Sequence, residues 1–213
     1  MMKLLSVNVG LPQPLIVKDE VVQTGIVKRS VNGPVTIHRT NLEGDGQGDT
    51  AVHGGPLKAV YAYASEHYFF WRSEYPSKPL PFGTFGENLT TEGLLDEDVC
   101  IGDRFQVGAA TLMVTQPRMP CFKLAAHFGR PEILERMISS RRHGFYFAVI
   151  EEGAVSAGDQ IRLVERHPAA ISVPQMVALY LGHSTDPGLL DLAMSLEMLT
   201  PKWKSKLALR AAV

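Results

Sequence analysis

Over roughly the first three quarters of the chain, apolar positions come in short bursts rich in Val, Ile, Tyr and Phe, each bounded by Gly, Pro, Asn or Asp. That pattern predicts strands at 3–9, 21–28, 34–39, 58–63, 99–107, 111–116, 144–150 and 160–165. Helical spacing interrupts it at 65–75, 122–128 and 131–141, where Pro131 suits a first turn. Many short strands with few crossover helices predict a barrel or sandwich rather than a doubly wound sheet.

The period changes after His167-Pro168-Ala169-Ala170. Val173, Met176, Val177 and Tyr180 recur at helical spacing behind a Ser172–Gln175 pair of the capping-box type. A second helix is predicted from Asp186-Pro187, with Leu189, Leu192, Ala193 and Leu196 on one face. A third follows Thr200-Pro201 and carries Trp203 and Leu207. The expected fold is mainly β with helices, a β domain over residues 1–167 and a small three-helix module over 168–213.

Composition narrows the function classes. Of 213 residues, 45% are apolar and 20% charged, which excludes disorder, collagen and coiled coil. Lys plus Arg number 21 against 22 Asp plus Glu, so no global field draws the chain to nucleic acid or an anionic membrane, and any basic site must be local. The most apolar stretches, 107–114 and 145–150, fall well short of the roughly 18 residues that span a bilayer. The start is unlike a secretory leader and there are two cysteines, so a reducing cytoplasm is expected.

Three segments carry candidate chemistry. The first, 44–55, holds five glycines in twelve positions together with Asp45, Gln47, Asp49 and His53, and ends in Gly54-Gly55. Such backbone can approach a ligand and offer bare N–H groups. A calcium loop is rejected, because its sixth position would be Thr50 and its twelfth Pro56. The plain alternative is a connection whose Asp side chains cap their own turns.

The second surrounds Cys121. Cys100 lies in a predicted strand and is assigned to packing. Cys121 follows a strand, sits after Pro120 at a helix start, and has Arg118 and Lys123 beside it, all of which favour thiolate. A thiolate there could attack an electrophile, carry sulfur as a persulfide or bind a soft metal, and the residues do not choose among these. From 118 to 143 there are six Arg or Lys against Glu132 and Glu135, and Arg136, Arg141 and Arg142 are equally well read as a solvated helix face.

The third is a set of polar groups beside turns. Lys28-Arg29 precedes Asn32-Gly33-Pro34 and could aim two cations at a pocket mouth, although a solvated edge pair is the simpler account. Glu87 and Asn88 follow Gly86 and could orient a polar ligand or cap a turn. Aromatic residues at 61, 63 and 68–71 suggest a strand and core helix rather than a base-stacking platform.

Taken together, 44–55, Lys58-Ala59-Val60-Tyr61, Phe85-Gly86-Glu87-Asn88 and Arg118-Met119-Pro120-Cys121-Phe122-Lys123-Leu124 resemble the MOSC domain, named for the C-terminal domain of molybdenum cofactor sulfurases. The resemblance is closest to its YiiM-type branch, where three helices follow the domain, and it covers nearly the whole chain. It implies a MOSC-type β-barrel holding a molybdenum cofactor (molybdenum–pyranopterin), with Cys121 bonded to the metal. The implied activity is reduction of N-hydroxylated substrates, such as 6-hydroxylaminopurine-like bases and amidoximes, by electrons from a separate donor protein. No flavin, NAD or iron–sulfur motif is recognisable. On this basis Cys121, His53 and Arg118 are expected to be catalytic, with His53 as proton donor. Lys28, Arg29, His53, Gly54, Gly55, Glu87, Asn88, Arg118 and Lys123 are expected to bind the cofactor. Gly46, Gly48 and Leu57 depart from the family pattern, which favours a polar residue, an alanine and an acid there.

Two rival readings stay open. Cys121 could hold a persulfide for transfer to a metal centre without bound molybdenum. The tail, with Lys202, Lys204, Lys206 and Arg210 facing no acids over 200–213, could recruit a partner, against the plainer expectation that its apolar face packs on the barrel or on a second subunit. Nucleic-acid and membrane partners are not expected, and sequence does not decide whether the chain forms a homodimer.

Overall fold

The structure, a computed structural model, describes residues 1–48 and 54–211. In chain order its elements are β1 (Met2–Val9), β2 (Gln13–Val17), β3 (Glu20–Thr24), β4 (Arg29–Val31), β5 (Val35–Ile37), β6 (Val60–Ala64), α1 (Glu66–Glu74), β7 (Leu89–Glu92), β8 (Arg104–Val107) and β9 (Ala110–Pro117). These are followed by α2 (Phe122–Phe128), α3 (Ile133–Ser139), β10 (Phe145–Glu151), β11 (Gly153–Val155), β12 (Gln160–Glu165), α4 (Val173–Leu181), α5 (Pro187–Met194) and α6 (Pro201–Ala211).

Seven strands close into a barrel in the order β1, β12, β8, β9, β10, β6, β7 and back to β1. Every neighbouring pair in this ring is antiparallel except β6–β7, which runs parallel from Ala62 opposite Leu89 to Ala64 opposite Thr91. That pairing needs a crossover, supplied by α1 and the loop after it. β1 divides one of its edges between two partners: Met2 and Lys3 pair with Ile161 and Gln160 of β12, while Val7 to Val9 pair with β4. The hairpin β2–β3 stands outside the ring as a separate two-stranded sheet.

The period-two geometry of β6 explains the aromatic run in the sequence. Val60 and Ala62 face the barrel interior with Leu4, Phe105, Leu112, Phe145 and Phe147. Tyr61 and Tyr63 point outward into a second apolar cluster with Tyr68, Trp71, Phe85 and Phe128, so this is a strand and a core helix, as expected. The strand is buried on both faces because α1, α2 and α3 cover its outer side.

The three C-terminal helices form as the pattern predicts. Ser172 and Gln175 make the reciprocal capping box, with the Ser172 N–H donating to Gln175 Oε1 at 2.9 Å. Ile171, Val173, Met176, Trp203 and Leu207 belong to the same apolar cluster as the barrel interior, so the tail's apolar face is covered by its own barrel.

The predicted strand at 99–107 is broken, and β8 begins only at Arg104. The buried Asp103 carboxylate accepts the N–H groups of Cys100 at 2.8 Å and His167 at 3.0 Å, bending the chain through Gly102 at φ 91°. Cys100 is buried, as expected, but it makes a single bridge to Ser172 rather than lying in a strand. The predicted strand at 21–28 stops at Thr24, after which the chain turns into the site.

Candidate functional site

Residues drawn from the segments 24–28, 45–48, 58–61, 85–88 and 118–123, together with Tyr146, line one cleft of about 700 Å³ counted to its open mouth. Gly25 and Gly46 allow its walls to meet: a Cβ at Gly25 would lie 2.2 Å from the Gly46 carbonyl oxygen. Gly46 and Gly48 are themselves confined by close neighbours. A side chain at Gly46 would strike Pro12 Cδ at 2.4 Å, and one at Gly48 would sit 2.8 Å from the backbone of Gln23 and Thr24.

Cys121 ends the extended segment after β9 and caps α2, with φ −133° and ψ 167°, half-buried on the cleft wall. Arg118 is 4% exposed; its N–H donates to Gly144 O at 3.0 Å and its guanidinium lies 5.6 Å from the Tyr61 ring centre. Among the described residues no carboxylate pairs with it. Lys123 is buried on the same wall and donates from Nζ to Gln23 O at 3.3 Å, fastening α2 to β3.

Lys28 reaches the cleft from the opposite side, its ammonium ion-paired with Asp45. Burial pulls the Lys28 pKa down, and Asp45 works against that fall. Asp45 is also buried: Oδ1 accepts the Gly10 N–H at 2.9 Å and Oδ2 accepts from Asn88 Nδ2 at 2.8 Å. Asn88 in turn accepts the Tyr61 N–H at 3.1 Å. Sequence reasoning weighed Asp45 as a calcium ligand, which it rejected, or as the cap of its own turn, and missed this role. Its signal was an acid between two glycines with no basic residue in its own loop.

The other expected site residues divide. Glu87 is fully buried and does not line the cleft; it accepts from Gly83 N–H at 2.8 Å, Phe85 N–H at 3.1 Å, Thr90 Oγ1 at 2.9 Å and the Tyr68 hydroxyl, holding the loop that carries Phe85 and Gly86. Burial pushes its pKa up, opposed by those hydrogen bonds. Arg29 is exposed on β4, opposite Val9, and does not line the cleft. Gly54 and Gly55 lie just outside the lining, the Gly55 N–H donating to Gln47 Oε1 at 3.0 Å. His53 lies outside the described residues.

The basic excess downstream separates as well. Arg136 pairs with Glu74, and Arg130 lies 3.8 Å from Glu132, both on the surface, while Arg118 and Lys123 enter the cleft. Tyr61 and Tyr146, which the sequence did not single out as site residues, line it too, their pKa values raised by burial and opposed by the Arg118 charge. Behind Arg118, Asp96 accepts from the His143 N–H at 3.1 Å and the Gly144 N–H at 2.8 Å and contacts His67 Nε2 at 2.7 Å.

The MOSC domain model matches residues 49–162 of this chain. The chain belongs to the MOSC family. It is 48% identical over 169 residues to the uncharacterised protein YflK of Bacillus subtilis, covering 79% of this chain and 76% of that one. It is 41% identical over 145 residues to the protein YiiM of Escherichia coli, covering 67% and 65%. A protein of Gibberella moniliformis named a reductase is 40% identical over 148 residues, which are 68% of this chain and 26% of that much longer one. The crystal structure of YiiM from Geobacillus stearothermophilus superposes with a TM-score of 0.81 at 33% identity, over 99% of both chains. The MOSC match begins after Lys28 and Asp45, so part of the cleft wall comes from chain outside it. Among the described residues no helix is long and apolar enough to cross a membrane.

Proposed function

We propose that this protein is a molybdenum-cofactor-dependent reductase of N-hydroxylated compounds, hydroxylamino bases and amidoximes among them, with electrons supplied by a separate donor protein. The observation that carries the reading is the Cys121 thiol sharing one cleft with the buried side chains of Lys28, Arg118 and Lys123. Those residues fit the cofactor in kind. A soft metal accepts a thiolate, and a pterin phosphate needs cations and close-lying backbone. Among the described residues no three His, Cys, Asp or Glu side chains converge on a metal site, so Cys121 would be one ligand among others brought by the cofactor. The reductase from Gibberella moniliformis, 40% identical over the shared stretch, supports a redox activity.

Bound, the cofactor supplies the two-electron chemistry. Reducing an N–OH group to N–H takes two electrons and two protons and releases water. Arg118, buried without a carboxylate among the described residues, steadies negative charge beside Cys121. Lys28 and Lys123 hold the phosphate end, and Asp45 and Asn88 fix Lys28 in place. His53 is proposed as the proton donor, because an imidazole exchanges protons near neutral pH. Glu87 acts from below, through the loop of Phe85 and Gly86.

The test is metal and pterin analysis of wild type and Cys121→Ser made in a cofactor-competent host. Wild type should retain molybdenum and reduce 6-hydroxylaminopurine, and the variant should lose both. Undiminished retention and turnover in the variant would reject Cys121 as the metal ligand. A reducible added sulfur on Cys121 in metal-free wild type would favour the sulfur-carrier reading instead.

A further inference from the structure

Next to the cleft lies a second depression of about 760 Å³, measured to its mouth and lined by Val17, Lys18, Glu20, Val22 and Phe122. The two depressions adjoin along β3 and at the start of α2. Glu20, Val22 and Thr24 alternate along β3 and therefore share one face, and Thr24 lines the cleft while Val22 and Glu20 line the groove, each step of two residues advancing about 7 Å. Val17 stands opposite Glu20 in the hairpin register and joins the same face. On the other wall Cys121 faces the cleft and its neighbour Phe122 faces the groove. The Lys123–Gln23 hydrogen bond keeps the two walls together.

We infer that this groove receives the planar ring of the substrate, with Phe122 as its stacking platform and Val17 and Val22 as its opposite wall. The inference rests on the proposed reductase activity. With a cofactor in the cleft beside Cys121, the adjoining surfaces open to the body of a substrate would be Phe122 and the face of β3. Phe122 is 49% exposed, an aromatic surface beside the thiol that no other side chain covers fully. Lys18 and Glu20 line the same groove and add a donor and an acceptor group, which the edge of a neutral heteroaromatic ring can meet. A small aliphatic amidoxime has no ring to stack on Phe122.

The experiment compares wild type, Phe122→Ala and Phe122→Tyr as molybdenum-loaded enzymes on 6-hydroxylaminopurine and acetamidoxime. Phe122→Ala should raise KM for the purine about tenfold, the loss of one stacked base. Its kcat for the purine and its KM for acetamidoxime should stay within about twofold of wild type, and Phe122→Tyr should restore the purine KM. Equal molybdenum content in the three proteins keeps the effect apart from cofactor binding. An equal change for both substrates, or no change, overturns the groove. If loaded wild type reduces neither compound, the reductase reading falls, and equilibrium binding of 6-hydroxylaminopurine followed by ligand-observed NMR decides the groove alone. Weakening of about tenfold in Phe122→Ala would uphold it, and an unaltered or undetectable affinity in wild type would overturn it.

Discussion

Removing the carboxylate of Asp45 would strand the Lys28 ammonium, whose side chain is 6% exposed, beside polar groups arranged to face an anion. Breaking a buried pair from one side costs about 3–5 kcal/mol, mostly the penalty of the uncompensated charge. Asp45→Asn should therefore destabilise the protein by about that much in urea unfolding, and adding Lys28→Met should recover at least half. A second residue-scale effect is set by pH. Burial holds the His143 imidazole below its ordinary value near 6.5, so the native state binds fewer protons than the unfolded chain and loses stability as pH falls from about 6.5 downward. His143→Asn can keep a donor toward the Arg118 carbonyl, which Nδ1 approaches at 3.3 Å, but cannot titrate. Thermal unfolding between about pH 7 and 5.5 should fall more steeply in wild type than in this variant. That Cys121 shares a cleft with Arg118 and Lys123 was legible in sequence because these are its near neighbours along the chain. Asp45 was not, because its partners Gly10, Lys28 and Asn88 are distant along the chain and meet only after folding.

At the scale of elements, the hairpin β2–β3 turns through Lys18 at φ 48° and Asp19 at φ 68°, two left-handed residues in a turn that usually employs glycine. Asp19→Gly should relax one of them and raise stability by about 0.5–1 kcal/mol, read as a higher midpoint in chemical denaturation. In the opposite direction, Gly48→Ala should cost about 1–3 kcal/mol, read as a lower urea midpoint, because its Cβ would push the 44–48 segment off β3. The long periodic strands β1, β9, β10 and β12 and all three tail helices were legible from spacing alone. β2 was hidden by Pro12 and Pro14, tolerated because the hairpin stands outside the barrel. β7, Leu89–Glu92, was not among the predicted strands, because four residues with a single large apolar side chain carry little periodic signal, and it is held as a strand by β6 and β1 on either side. Such strands are specified by their neighbours rather than by their own residues.

For the whole molecule, the barrel interior and the tail share one apolar cluster, so the change of texture near residue 167 marks a change of secondary structure inside a continuous core. Trp203→Ala should lower stability by about 3–5 kcal/mol and leave one calorimetric transition rather than two, because the cavity opens in a core both parts use. The cations of the tail are partly occupied, since Arg210 donates to Leu181 O at 3.0 Å and Lys206 lies 5.7 Å from the Tyr180 ring centre. Ring closure joins the two ends of the β region, with Met2 pairing against Ile161. The barrel therefore cannot shut until β12 has been made, and until then Met2 and Lys3 of the first strand lack their partners on that edge, while Val7 to Val9 can already pair with β4. Closure of the ring thus follows synthesis of β12, and insertion of any prosthetic group that needs the closed barrel follows it in turn.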